Sequence, residues 1–201
     1  MAKVVLPDSL ARLFPGAPRR LELAAATVDV ALRELETSLQ LDPRSATAHA
    51  TMALLQLRLS KPELAGEHYR RALALSPSDP EIRNNYGVYL CGLGRVQEAD
   101  AQFRCAIANP LYRTPALAYT NAAECALRNG DSARAETDLL TAVQLDPTFV
   151  TPSLILADLK YEAGDARAAR EHLARYVRRA GQTPAGLALG IRVETALGDL
   201  D

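Results

Sequence analysis

Apolar residues fall at helical spacing from Leu21 onward. Within residues 30–41, Leu32, Leu35 and Leu39 share one helical face, with Ala31 and Ser38 as small packing positions beside them. Asp42-Pro43 ends that helix, because proline has no N–H to place in the hydrogen-bond ladder. A pair of helices follows, the first over 46–59 and the second opening at Pro62 and closing at Ser76-Pro77. The next pair opens on Asp79-Pro80-Glu81, which supplies an N-cap, a first-turn proline and an acid that complements the helix dipole. Its second helix, 96–108, closes at Asn109-Pro110. Two more pairs occupy 116–149 and 150–183, and a single helix fills 184–198. Residues 21–25 read as the end of an earlier helix that turns at Ala26. Residues 1–20, with Pro7, Pro15 and Pro18, read as a loose leader holding at most a helical turn near 9–14.

These pairs repeat with a period of about 34 residues. Gly94, Gly130, Gly164 and Gly198 mark the turn inside each pair, and Ser60 stands in the same place one period earlier. Ala65, Ala99, Ala135 and Ala169 follow the turns by five residues, and Pro43, Pro77, Pro110 and Pro147 close the pairs. Such a period with small residues at fixed offsets predicts an all-α helical solenoid. The predicted organisation is one array over 21–201. It comprises a degenerate repeat at 21–45, repeats at 46–79, 80–115, 116–149 and 150–183, and a half repeat at 184–201. The step from the third to the fourth repeat is 36 residues, and the two extra residues lie within 109–115. That connector holds Asn109, Pro110, Leu111, Tyr112 and Pro115. It is either a plain insertion or a stiff loop offering Asn109, Leu111 and the aromatic ring of Tyr112 to a partner.

Composition agrees with this reading. Apolar residues make up 48% of the chain, enough for a continuous core. Aromatics make up only 5%, so Ala and Leu must fill that core. The net charge of −1 and the interspersed arginines and acids give no electrostatic pointer to nucleic acid. No stretch approaches the length of a membrane-spanning helix. The apolar run Val4-Val5-Leu6 ends at Pro7, too short for a signal-peptide core, and no lipid-attachment cysteine follows it. The sequence as it stands therefore predicts no export or anchoring signal.

The offsets resemble the tetratricopeptide repeat, in which a small residue on helix A faces a small residue on helix B. Met52-Ala53, Ala65, Tyr69 and Pro77 carry the pattern in one repeat. Tyr86-Gly87, Leu90, Ala99 and Phe103 carry it in the next, then Tyr119, Ala122-Ala123, Ala126, Ala135, Leu139 and Pro147, then Leu156-Ala157, Ala169 and Leu173. The implied fold is a right-handed superhelical solenoid of antiparallel helix pairs.

A narrower resemblance rests on Asn84-Asn85-Tyr86-Gly87-Val88-Tyr89-Leu90-Cys91 with Gly94-Arg95, Glu98-Ala99 and Phe103. Asn109-Pro110-Leu111-Tyr112, Thr114-Pro115, Asn121 and Cys125 belong to it, as does the tail from Leu189 to Glu194 with Leu197-Gly198-Asp199. These runs are similar to the PilF/PilW family of bacterial type IV pilus biogenesis and stability proteins, over about residues 28–200. The resemblance implies a pilotin, an outer-membrane lipoprotein facing the periplasm. Its partner would be the pilus secretin, which it helps to assemble or to reach the outer membrane. The chain departs from the family in lacking the lipidation cysteine and signal peptide, so membrane attachment would need a lipid anchor absent from this sequence. A cytosolic tetratricopeptide-repeat adaptor for another complex is the alternative.

In this fold the A helices line a concave face. Its fifth, ninth and twelfth repeat positions are Ala50, Leu54 and Leu57; Asn84, Val88 and Cys91; Thr120, Glu124 and Leu127; Leu154, Asp158 and Tyr161. They form either a partner-binding groove, apolar at first and then mixed and acidic, or a surface partly covered by neighbouring A helices. No lysine stands at these positions to clamp a terminal carboxylate. Asn85 and Asn121 share a repeat position and read as hydrogen-bond bridges between repeats. Cys91 and Cys125 lie 34 residues apart at one height on adjacent A helices. At the usual 8–10 Å between packed helices they are either a disulfide or two buried thiols. Cys105, on a B helix, reads as core. His49, His68 and His172 lack metal-ligand spacing, and His68 and His172 fall on the outer face of B helices. No phosphate loop, nucleophile triad or paired-carboxylate arrangement appears, so the expectation is a binding protein with no cofactor, metal or catalytic activity.

Overall fold

The computed structural model describes residues 25–198, which form ten helices and no strand. They are α1 (Ala25–Leu41), α2 (Ala46–Arg58), α3 (Pro62–Leu75), α4 (Pro80–Gly92), α5 (Val96–Ile107), α6 (Pro115–Arg128), α7 (Ser132–Leu145), α8 (Thr151–Glu162), α9 (Ala166–Ala180) and α10 (Pro184–Leu197). The even-numbered helices are A helices and the odd-numbered ones are B helices. This is an all-α repeat fold. The chain divides between Tyr89 and Leu90, inside α4, into two compact units. No helix among the described residues is long and apolar enough to cross a membrane.

The turns inside the helix pairs are made alike, for a local reason. Gly94, Gly130, Gly164 and Gly198 take left-handed backbone with φ between +75° and +80°. After the first three, the next residue donates its N–H to the carbonyl five back: Arg95 to Leu90, Asp131 to Ala126 and Asp165 to Lys160. That bond satisfies a carbonyl the helix end leaves open. Ser60 does the same without being glycine. Its φ is +58°, and Lys61 N–H donates to Gln56 O at 2.9 Å. Several helices start on side-chain caps, though those that open after Lys61, Arg95, Thr114 and Val150 have none. Ser45, Asp131, Asp165 and Thr183 each accept from a backbone N–H three residues on.

One expected turn is missing. α1 runs unbroken through Ala26, where a first helix was expected to end. Alanine gains nothing in left-handed backbone and favours helix, so the chain continues. Residues 1–20 and 21–24, which carry the expected leader and most of the expected helix end, lie outside the described residues.

In the first unit, α2 packs against α3, and Ala53 of the one and Ala65 of the other are fully buried. Val28, Met52 and Leu55 form a core with Leu32, Leu35 and Leu39 of α1. Tyr69, Tyr86 and Tyr89 cluster with ring centroids 5.5–5.7 Å apart. Gly66 makes room for them, because a Cβ there would lie 2.3 Å from the Tyr89 hydroxyl. That hydroxyl donates to Pro62 O at 3.0 Å.

In the second unit, Ala123 and Ala135 lie in a core with Leu139, Val143 and Leu156. Ala157 and Ala169 lie in another with Leu173, Tyr176, Leu189 and Val193. Small residues at these crossings let the helix backbones approach. α10 breaks the rule, since Ile191, one period after Ala157, is exposed.

Candidate functional site

The A helices place the expected groove positions at different depths. In the first unit, Ala50 and Leu54 are buried, and Leu57 and Val88 are half-buried. Asn84 is fully buried, at 0% exposure. In the second unit Thr120 is buried, its hydroxyl donating to Ala116 O at 2.7 Å. Ala50, Leu54, Asn84 and Thr120 are therefore structural in this conformation. The positions with side-chain surface to offer are Leu57, Val88, Glu124, Leu127, Leu154, Asp158 and Tyr161.

The acidic end of this set is already neutralised from within. Arg192 of α10 reaches back to α8, donating to Asp158 at 3.2 Å and also bonding Glu162. Its guanidinium lies 4.3 Å from the Tyr161 ring centroid. Asp158 and Tyr161 thus form a three-part surface with an arginine that the repeat positions alone do not identify. A partner meets a mixed cation, acid and aromatic surface there in place of a bare carboxylate.

Cys91 and Cys125 form a disulfide, with sulfurs 2.13 Å apart and Cα atoms 5.8 Å apart. It joins the C-terminal end of α4 to α6. Cys105 is a free, exposed thiol, against the expectation that it belongs to the core. The buried face of α5 is Ala99, Phe103 and Ala106, and Cys105 follows Phe103 by two residues, which turns it to the opposite side.

The connector between α5 and α6 also departs from expectation. Tyr112 is buried against Ala106 and Ala118, and Leu111 is the exposed member at 82%. The cause is an Asx-type turn. Asn109 Oδ1 accepts from Leu111 N–H at 2.9 Å, and Asn109 O accepts from Tyr112 N–H at 3.0 Å. The turn swings the aromatic ring inward and leaves Leu111 at the tip.

Two further polar arrangements lie outside the binding positions singled out in the sequence. Arg104 of α5 donates to both carboxylate oxygens of Asp138 on α7, at 2.8 and 2.5 Å, and to Asp100 at 3.1 Å. Arg134 also bonds Asp100. The bond to Asp138 holds the Arg104 guanidinium above its ordinary pKa. In the first unit, His49 Nδ1 and His68 Nδ1 lie 3.0 Å apart. Their 19-residue separation matches neither the helix period nor the repeat. His172 is half-buried and held below the usual imidazole range by burial. Among the described residues no group of three or more His, Cys, Asp or Glu side chains converges as a metal site.

Comparison with known proteins bears on what this surface serves. A tetratricopeptide-repeat family model matches residues 20–80, 50–110 and 87–148. The type IV pilus assembly protein PilF of Pseudomonas aeruginosa is 30% identical over 167 residues, covering 83% of this chain and 66% of that protein. An uncharacterised Haemophilus influenzae protein is 28% identical over 116 residues. The chain thus spans 66% and 65% of the lengths of these curated relatives. Among solved structures, PilW, described as a widely conserved type IV pilus biogenesis factor, superposes with a TM-score of 0.80 at 32% identity. That match covers 87% of this chain and 80% of PilW. The Pseudomonas aeruginosa PilF structure superposes at 0.78 with 29% identity, covering 87% and 78%. Yeast Tom70, at 21% identity and 0.73, shares the fold over 86% of this chain and 37% of its own. The chain belongs to the tetratricopeptide-repeat family and, within it, to the type IV pilus proteins that include PilF and PilW.

Proposed function

We propose that this protein is a non-enzymatic scaffold of type IV pilus biogenesis. It binds the pilus secretin through its A-helix surface and assists assembly or localisation of that channel at the periplasmic face of the outer membrane. The observation that carries this reading is the relationship to PilW over 87% of the chain. Two features of the structure support it. The A helices of each unit offer half-buried apolar side chains, Leu57 and Val88 in the first and Leu127 and Leu154 in the second, a surface chemistry suited to partner segments. The Cys91–Cys125 disulfide suits an oxidising compartment.

The test is affinity capture from the solubilised envelope of a piliated bacterium, with the tagged protein as bait. The secretin is expected to be retained. Val88→Asp and Leu127→Asp are expected to lose it while keeping their helical circular dichroism. Leu140→Asp, on the exposed side of a B helix, is expected to keep it. Leu54 is unsuitable for this test because it is buried. Equal secretin capture by all four proteins, or none by the wild type, would sink the proposal.

A further inference from the structure

The first unit holds a depression lined by side chains other than those assigned to the secretin. α1, α2 and α3 enclose an open depression of about 340 Å³, lined by Glu36, Leu39, Gln40, Met52, Gln56 and His68. It uses Met52 and Gln56 of α2, not the fifth, ninth and twelfth positions Ala50, Leu54 and Leu57.

Gln56 gives the depression its character. The residue is only 7% exposed, and its Oε1 has no hydrogen-bond partner among the described residues. Its Nε2 donates to Met52 Sδ at 3.6 Å. That contact sets the amide orientation, because thioether sulfur accepts a hydrogen bond and has none to give. The oxygen is left as a buried acceptor without a donor. Such a group is costly to bury unless something supplies one.

His68 contributes a second acceptor. His49 Nε2 lies 3.3 Å from Pro43 O, which can only accept, so that nitrogen carries the proton. His49 Nδ1 is then a lone pair, and His68 Nδ1, 3.0 Å away, is the donor to it. The remaining ring nitrogen of neutral His68, Nε2, is therefore an acceptor. Burial, followed by the nearby His49, holds this imidazole below its ordinary pKa and keeps it neutral. Glu36, exposed at the rim, adds a carboxylate, while Leu39 and Met52 supply apolar wall.

The depression is thus lined by an imidazole with a free lone pair and one carboxylate beside apolar surface, with the undonated amide oxygen of Gln56 buried just beneath. Anions are disfavoured by every one of those acceptors. A compact metal ion is poorly served, with no third His, Cys, Asp or Glu converging among the described residues. Acceptors spread around a partly apolar wall match a planar cation with several N–H groups on an aliphatic stem. We infer that this depression receives the guanidinium of an arginine side chain from a partner polypeptide.

The test uses blocked single residues as probes, followed by NMR of the Gln56 side-chain amide and the His68 ring. N-acetyl-arginine amide is expected to shift both signals saturably. N-acetyl-citrulline amide, of the same shape but uncharged, is expected to bind about tenfold more weakly or worse. Gln56→Leu and Glu36→Gln are expected to weaken the arginine probe by a similar factor each, with circular dichroism unchanged. A blocked Ala-Ala-Arg-Ala-Ala peptide is expected to bind at least as tightly as the single residue. Equal binding of arginine and citrulline, an unmoved Gln56 amide, or indifference to both variants would overturn the site. Exclusion of the peptide would overturn its assignment to a partner chain. None of these outcomes depends on whether Val88 and Leu127 serve the secretin.

Discussion

Asp138 is a carboxylate only 4% exposed, and its charge is tolerated because Arg104 meets both of its oxygens. Removing the carboxylate leaves the partly buried Arg104 with Asp100 as its remaining anion. Asp138→Ala is expected to destabilise the fold by about 2–4 kcal/mol, less than a fully buried pair because Arg104 is partly solvated. Urea unfolding of both proteins measures this, and a loss near zero would show the pair to be ornamental. Tyr69 illustrates the opposite case. Its hydroxyl is buried without a partner among the described residues, and burial pushes its pKa well up. The ring is what the core uses, so Tyr69→Phe should leave stability within about 1 kcal/mol or raise it. At this scale the sequence is only partly legible. Depth depends on neighbours that a repeat position cannot name. Asn84 and Val88 are both A-helix groove positions, yet one is interior and the other half open. Tyr112 is buried where exposure was expected, while Leu111 stays exposed, because one asparagine side chain closes the turn beneath them. His49 and His68 meet because two helices pack, not because of any spacing in the chain.

Elements are far more legible, because their ends are made locally. Glycines, prolines and N-caps lie within a few residues of the backbone groups they satisfy, so the turns at Gly94, Gly130, Gly164 and Gly198 can be read directly. Ser60 is the informative exception. The sequence position marks it as a glycine equivalent, and the backbone takes the glycine conformation although serine pays for it. Ser60→Gly is therefore expected to stabilise the protein by about 1 kcal/mol, visible as a raised denaturation midpoint. A lowered midpoint would mean that the serine side chain contributes something the turn geometry does not reveal. Between elements, the Cys91–Cys125 bridge closes a loop with a sequence separation of 34. Loop-closure entropy gives about 3–4 kcal/mol for a loop of this size. Replacing both cysteines by serine should cost most of that in chemical denaturation, and reductant should lower the wild type to a similar degree. Alkylation of all three cysteines without reductant would contradict the bridge.

For the whole molecule, stability should fall as the medium becomes mildly acidic. His68 and His172 both have folded-state pKa values below the ordinary imidazole value, first because burial disfavours the charged ring. The unfolded chain then binds more protons between the folded and unfolded values. Their contribution is complete above about pH 6.5, the unfolded value, and is lost as pH falls through the lower folded values. Melting temperatures at pH 7.5 and 5.5 measure this, and a His68→Gln, His172→Gln double variant should show a flatter dependence. A steeper dependence in the double variant would contradict it.

The central claim at this scale is that the A-helix surface binds the secretin. Its most direct test is a titration of the purified protein against purified secretin, wild type beside Leu127→Asp, each first shown to keep its helical content. Saturable binding by the wild type and a loss of about tenfold or more in the variant are expected. No binding by the wild type, or the same affinity for both, would contradict it.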